Sequence, residues 1–148
     1  MDKAATIHAS AVLVGARAVL IRGPSGAGKS RLALDLLDAA RSGRVAFARL
    51  VADDRAALEA SHGRLLVRPA PTLAGLLEVR GLGIMRVPYE PVAVVALVVD
   101  LSADAERLPA ATARRTLIEG IDVARLGVAP EAEALPLVLA ALAMEPAS

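Results

Sequence analysis

Cysteine is absent from the 148 residues. That excludes disulfides, thiol catalysis and cysteine-ligated metals. Aromatic residues are almost missing too, at 1% against 55% for hydrophobic residues as a whole. The core must therefore be assembled from Ala, Val, Leu and Ile. Neither sign of charge is in excess: the net charge is +1 and the arginines are scattered rather than massed. No strong field for nucleic acid or an anionic membrane surface is expected. The longest apolar stretch, residues 92–99, is far too short to cross a bilayer. The start, Met1-Asp2-Lys3, has no basic segment leading into a secretory apolar core. No repeat, linker or low-complexity tract divides the chain. One domain over residues 1–148 is expected, in the cytoplasm.

Lysine is scarce as well. Only Lys3 and Lys29 occur, and positive charge is otherwise carried by arginine. Lys29 stands in Gly23-Pro24-Ser25-Gly26-Ala27-Gly28-Lys29-Ser30, which reads G-x-x-x-x-G-K-[ST], the phosphate-binding loop. An apolar run at 18–21 precedes it and a helical pattern follows, so the strand–loop–helix context is present. Glycines let the backbone curl until its N–H groups face phosphate oxygens. The following helix adds free N–H groups and the positive end of its dipole. Lys29 can reach the terminal phosphates, and its compact ammonium is not replaced by a guanidinium. Ser30 can hold magnesium through its hydroxyl. ATP and Mg2+ are the expected ligands.

Around this loop the chain reads as an α/β domain. Residues 7–14 and 18–22 form two strands of a hairpin feeding the loop. His8 opens the first, either as an exposed edge histidine or as a group brought to the loop by the hairpin. Residues 30–41 are helical, with Leu32, Leu34, Leu36 and Leu37 on the buried side and Arg31, Asp35, Asp38 and Arg41 as a polar stripe. A strand over 45–52 ends in Asp53-Asp54. A crossover helix favours parallel pairing, which puts both strand ends at the sheet edge where ligands bind. Adjacent side chains point oppositely on an extended chain, so one aspartate aims at the phosphates unless the chain turns.

Further on, 56–58 and 65–67 read as short strands about a His62-Gly63 turn, and 73–77 as a short helix capped by Thr72. Between Glu78 and Arg86, Gly81 and Gly83 mark a turn or close approach. Glu78 can reach magnesium and Arg80 phosphate; a surface turn with a salt bridge is the alternative. Residues 92–99 suit a central buried strand. Asp100 at its end is a rival metal ligand to Asp53 and Asp54. Arg107 is either a mobile phosphate-stabilising arginine or a solvated loop residue. Residues 117–123 form a short strand or amphipathic segment. Residues 131–144 are helical, with Pro136 in the first turn.

In order along the chain, Ile7-His8, the 23–30 loop, Leu50-Val51-Ala52-Asp53-Asp54 and Leu76-Leu77-Glu78-Val79-Arg80-Gly81-Leu82-Gly83-Ile84 resemble the catalytic domain of the HPr kinase/phosphorylase family. The last stretch looks like the family's signature and is far more specific than the phosphate loop. The resemblance implies a P-loop domain with a mixed sheet and flanking helices. It also implies an ATP-dependent kinase that phosphorylates a serine of HPr, the phosphocarrier of the sugar phosphotransferase system. By the same resemblance Asp54 is the proton acceptor, His8 and Lys29 are catalytic, and Ser30 and Glu78 bind magnesium. Asp53 is the further metal candidate, Arg107 is similar to the family's additional catalytic arginine, and a homo-oligomer is implied.

Two departures shape the expectation. His8 lies near the chain start, so no separate N-terminal domain is expected. The family's later Gly-Arg-Asn loop, associated with phosphate removal, is replaced by Val128-Ala129-Pro130-Glu131-Ala132-Glu133. A short, kinase-only form is expected. The rivals are a related kinase with another acceptor, which a substrate panel separates, and a non-catalytic nucleotide sensor, which needs neither Asp54 nor Glu78.

Overall fold

The structure is a computed structural model that describes residues 5–101 and 104–147. The first three strands are β1 (Ala5–Ile7), β2 (Ala9–Val14) and β3 (Arg17–Arg22). Helix α1 (Lys29–Arg41) leads to β4 (Ala48–Ala52), β5 (Ala56–Ser61) and β6 (Arg64–Pro69). Then come β7 (Leu76–Val79), β8 (Gly83–Arg86) and the long β9 (Ala93–Leu101). The chain ends in β10 (Arg115–Ile118), β11 (Ile121–Val128) and α2 (Ala134–Ala143).

The main sheet runs β1-β5-β6-β9-β3-β2-β4, with β11 also on β9 and β10 on β11; β7 and β8 form a separate ribbon. It is a mixed sheet: β3 and β11 run parallel to β9, and the other pairs are antiparallel. β9 is central, as its unbroken apolar run requires. The period of two in β2 and β3 separates two cores. Val12, Val14, Val19 and Ile21 face α1 and α2 through Leu32, Leu36 and Val138. Ala9, Ala11, Ala18 and Leu20 face Leu58, Leu65 and Val67, because β5 and β6 fold across β2 and β4. Small residues on that face let two strand layers approach closely.

Several elements differ from the sequence reading. β3 and β4 are not neighbours, since β2 lies between them. Both run antiparallel to β2, so they point the same way and still end at one edge. β4 begins at Ala48, and the extended reading breaks at His8, a bend between β1 and β2. Residues 73–77 are not a helix. A single 3-10 turn over Pro71–Leu73 gives way to β7, because Leu76–Val79 pairs with Gly83–Arg86. Thr72 makes no cap. In α1 the fully buried positions are Leu32, Ala33, Leu36 and Ala39, with Leu34 and Leu37 only partly covered. The C-terminal helix begins at Ala134, with Pro136 in its first turn.

β4 would be an exposed sheet edge, but residues 89–90 lie along it. Glu90 N–H donates to the Leu50 carbonyl at 2.8 Å, and Arg49 pairs with Glu90 at 3.2 Å. The same segment anchors the β7–β8 ribbon. Val87 N–H donates to the Gly75 carbonyl at 2.8 Å, and a Cβ at Gly75 would lie 2.9 Å from the Tyr89 ring.

Leu36 is wholly buried where α1 meets the sheet. Leu36→Ala is expected to lower stability by about 2–5 kcal/mol in urea denaturation. A loss well below that range would mean that α1 is not clamped on β2 and β3 as described.

Candidate active site

β3 ends at Arg22, and the chain turns through residues 23–28 into α1. The root of that loop is pressed on the end of β9. A Cβ at Gly23 would lie 3.1 Å from the Leu101 Cβ and 3.2 Å from its carbonyl oxygen, so a side chain there would have to push the end of β9 back by a few tenths of an ångström. At the far end Gly28 adopts left-handed backbone (φ 98°, ψ 24°) and caps α1 without any side-chain bond. The Ala27 N–H closes the turn on the Pro24 carbonyl at 3.0 Å. Lys29 folds back over the loop, its Nζ donating to the Gly23 and Pro24 carbonyls at 2.7 and 3.1 Å. No acidic residue occupies the first turn of α1, so nothing on that turn competes with an anion for its N–H groups.

Asp53 follows β4 and is 5% exposed. One carboxylate oxygen accepts from Ser10 Oγ at 2.6 Å and from Ser30 Oγ at 2.7 Å. The other accepts from the Glu78 backbone N–H at 2.9 Å. β2, β4, β7 and the start of α1 are thus joined at one carboxylate. Ser30 gives its proton to Asp53, which leaves its oxygen lone pairs available to a hard cation.

The chain turns at Asp54, whose φ is +70°, a region that Asp tolerates better than most residues. The turn separates the pair: Asp53 is buried and Asp54 exposed. His8 Nδ1 lies 4.0 Å from Asp54 Oδ1, with side chains 65% and 69% exposed. The Ala9 N–H donates to the Asp54 carbonyl at 3.2 Å, which fixes His8 beside it. Glu78 is exposed on β7, one backbone bond from Asp53. The 23–30 loop, Asp53, Asp54, His8 and Glu78 therefore gather at one edge of the sheet.

Arg80 is exposed in the β7–β8 turn. Arg107 lies in an exposed bend between β9 and β10; among the described residues no hydrogen bond or ion pair ties it to the loop. Asp100 is engaged elsewhere. Arg22 grips it through two bonds of 2.7 and 2.8 Å, and Arg125 adds one of 2.6 Å. Burial raises the Asp100 pKa, but the bonds and charges of the two arginines outweigh it, leaving the carboxyl below its ordinary value. Ser10 is the site residue that the sequence reading missed. Its signal was the lone hydroxyl in the otherwise apolar run 9–14.

A family model described as the HPr serine kinase C-terminal domain matches residues 1–103. A curated relative, the HPr kinase/phosphorylase of Clostridium tetani, is 40% identical over 82 residues, which is 55% of this chain and 25% of that protein. The HPr kinase/phosphorylase of Halalkalibacterium halodurans is 45% identical over 82 residues, 55% of this chain and 24% of that protein. The matched stretch is thus about a quarter of the length of these relatives. Among solved structures, the Hpr(Ser) kinase/phosphatase from Coxiella burnetii superposes with a TM-score of 0.71 at 28% identity, covering 94% of this chain and 93% of that one.

Two outcomes follow from this geometry. Ser10→Ala removes a buried bond to a charged group and should cost about 1.5–3 kcal/mol in chemical denaturation. Asp100 has its pKa depressed by folding, so its pairing stabilises fully above the unfolded value, about 3.9, and is lost as pH falls through the folded one. The Tm gap between the parent and Asp100→Asn should hold steady at neutral pH and close below about pH 4. A gap that persists in acid would contradict the pairing.

Proposed function

This chain belongs to the HPr serine kinase C-terminal domain family, and we propose that it transfers the γ-phosphoryl group of ATP to a serine hydroxyl of an HPr-type phosphocarrier protein. The observation that carries this reading is the meeting of the 23–30 loop with Asp53 and Asp54 through the Ser30–Asp53 bond. A phosphate cradle and an exposed carboxylate stand together at one sheet edge.

In this reading the loop N–H groups and Lys29 hold the polyphosphate. Lys29 would exchange its two loop carbonyls for phosphate oxygens. The exposed Asp54 takes the proton of the acceptor serine as its oxygen attacks the γ-phosphorus. The bond from that phosphorus to the bridging oxygen breaks, and ADP leaves with the electron pair. His8, fixed beside Asp54 by the Ala9 backbone bond, orients the carboxylate.

The donor set suits magnesium. Ser30, Asp53 and Glu78 offer oxygens, and hard cations take oxygen ligands. Among the described residues no three His, Asp or Glu side chains form a metal cage, so the remaining ligands would be phosphate oxygens and water. When bound, the ion would offset charge on the phosphates. Arg107 would add positive charge from the connection after β9, whose end packs on the loop root at Gly23. The protein is proposed to work in the bacterial cytoplasm, where ATP is found. No helix among the described residues is long and apolar enough to cross a membrane.

Incubation with γ-labelled ATP, magnesium and HPr should label one serine. Asp54→Asn preserves the shape and tolerates the same backbone, yet should lower kcat by about 10²–10⁴-fold without changing ATP affinity. Unimpaired transfer by that variant would remove Asp54 from the base role. ATP turnover with other acceptors but not HPr would place the acceptor elsewhere.

A further inference from the structure

A cavity of about 400 Å³ opens beside the phosphate loop, and neither Asp53 nor Asp54 lines it. Ala27 and Gly28 form its rim, and Arg31 and Asp35 of α1 form one wall. The ends of β9 and β11, at Leu101 and Val128, line it, and residues 129–130 and 132–136 close the far side. We propose that this cavity seats the nucleoside of the nucleotide whose phosphates the loop holds. The inference rests on the ATP reading of that loop.

Sheet order supplies the first reason. β3, which carries the loop, lies between β2 and β9. Asp53 and Asp54 arrive from β4, beyond β2, whereas the cavity lies over β9 and β11. A nucleotide laid across the end of β3 has its reacting phosphate toward the acids and its other end over the cavity. The shared rim at Ala27 and Gly28 makes cradle and cavity continuous.

The lining supplies the second. The volume falls in the range of about 300–1,000 Å³ found for small-molecule sites. Leu101, Val128 and Leu135 offer apolar contact. Neither of the chain's two aromatic residues, Phe47 and Tyr89, is in the wall. A flat base would instead stack on the Arg31 guanidinium, which Asp35 holds at 3.1 Å and which is otherwise exposed. Asp35 and Glu133 present carboxylates, acceptors for ribose hydroxyls or an exocyclic amino group.

Calorimetric titration of the full chain with magnesium–ATP and with magnesium tripolyphosphate separates the nucleoside from the phosphates. ATP should bind about tenfold or more tightly than tripolyphosphate. Arg31→Ala, and independently Ala132→Trp at the exposed cavity mouth, should remove most of that gap while leaving tripolyphosphate affinity unchanged. Photolabelling with 8-azido-ATP should mark peptides within residues 128–136. Equal affinity for the two ligands, a gap that survives both variants, or label placed elsewhere would overturn the inference and leave the loop reading standing. Failure of both ligands to bind would overturn the two together.

Discussion

One buried carboxylate holds the site together. Among the described residues Asp53 has no cationic hydrogen-bond partner; two hydroxyls and a backbone N–H solvate it instead. Burying an ionised carboxylate is costly unless such donors are in place, and each bond to a charged group offsets about 1.5–3 kcal/mol. The donors come from β2, the first turn of α1 and β7. Satisfying that one group therefore fixes where the 23–30 loop enters its helix and where the β7–β8 ribbon sits. The same bond orients the Ser30 hydroxyl at the start of α1, so under the proposed reading a folding contact would also set the oxygen offered to magnesium.

The interposed strand explains how the acids come within reach of the loop. With β2 between β3 and β4, their ends are two strand spacings apart, about 10 Å. A direct bond from the root of β3 to Asp53 is out of range. β2 bridges the gap by placing Ser10 on the α1 side, and α1 closes it by presenting Ser30 from its first turn. The left-handed turn at Asp54 then divides the labour between neighbours: one acid braces the interior and the other faces solvent beside His8.

What was legible in the sequence was local. The 23–30 loop declared itself through glycine spacing and its flanking pattern, and the structure gives it the expected strand and helix. His62-Gly63 read as a turn because those residues accept positive φ, and both have it, at +53° and +75°. Residues 117–123 stayed ambiguous until the Glu119-Gly120 turn resolved them as β10 and β11. The helix expected over 73–77 failed because Thr72 after a proline imitates a helix start, whereas pairing with Gly83–Arg86 decides the outcome and lies beyond a local window. Strand order was illegible for the same reason: no local pattern says that β2 lies between β3 and β4. Asp100 looked like a free acid because its partners, Arg22 and Arg125, are 78 and 25 residues away. Family likeness brought His8 and Asp54 into one account, and their 4.0 Å approach is consistent with it.

The joint between the β7–β8 ribbon and the sheet edge has a practical corollary. Tyr89, packed on Gly75 there, is the only tyrosine, and the chain has no tryptophan. Ultraviolet tyrosine emission from this protein thus originates at a single locus, the hinge-point on which the Glu78 ribbon is mounted. Loosening of that mount can be followed without attaching a dye, by exciting at a wavelength that the lone phenylalanine, Phe47, does not absorb.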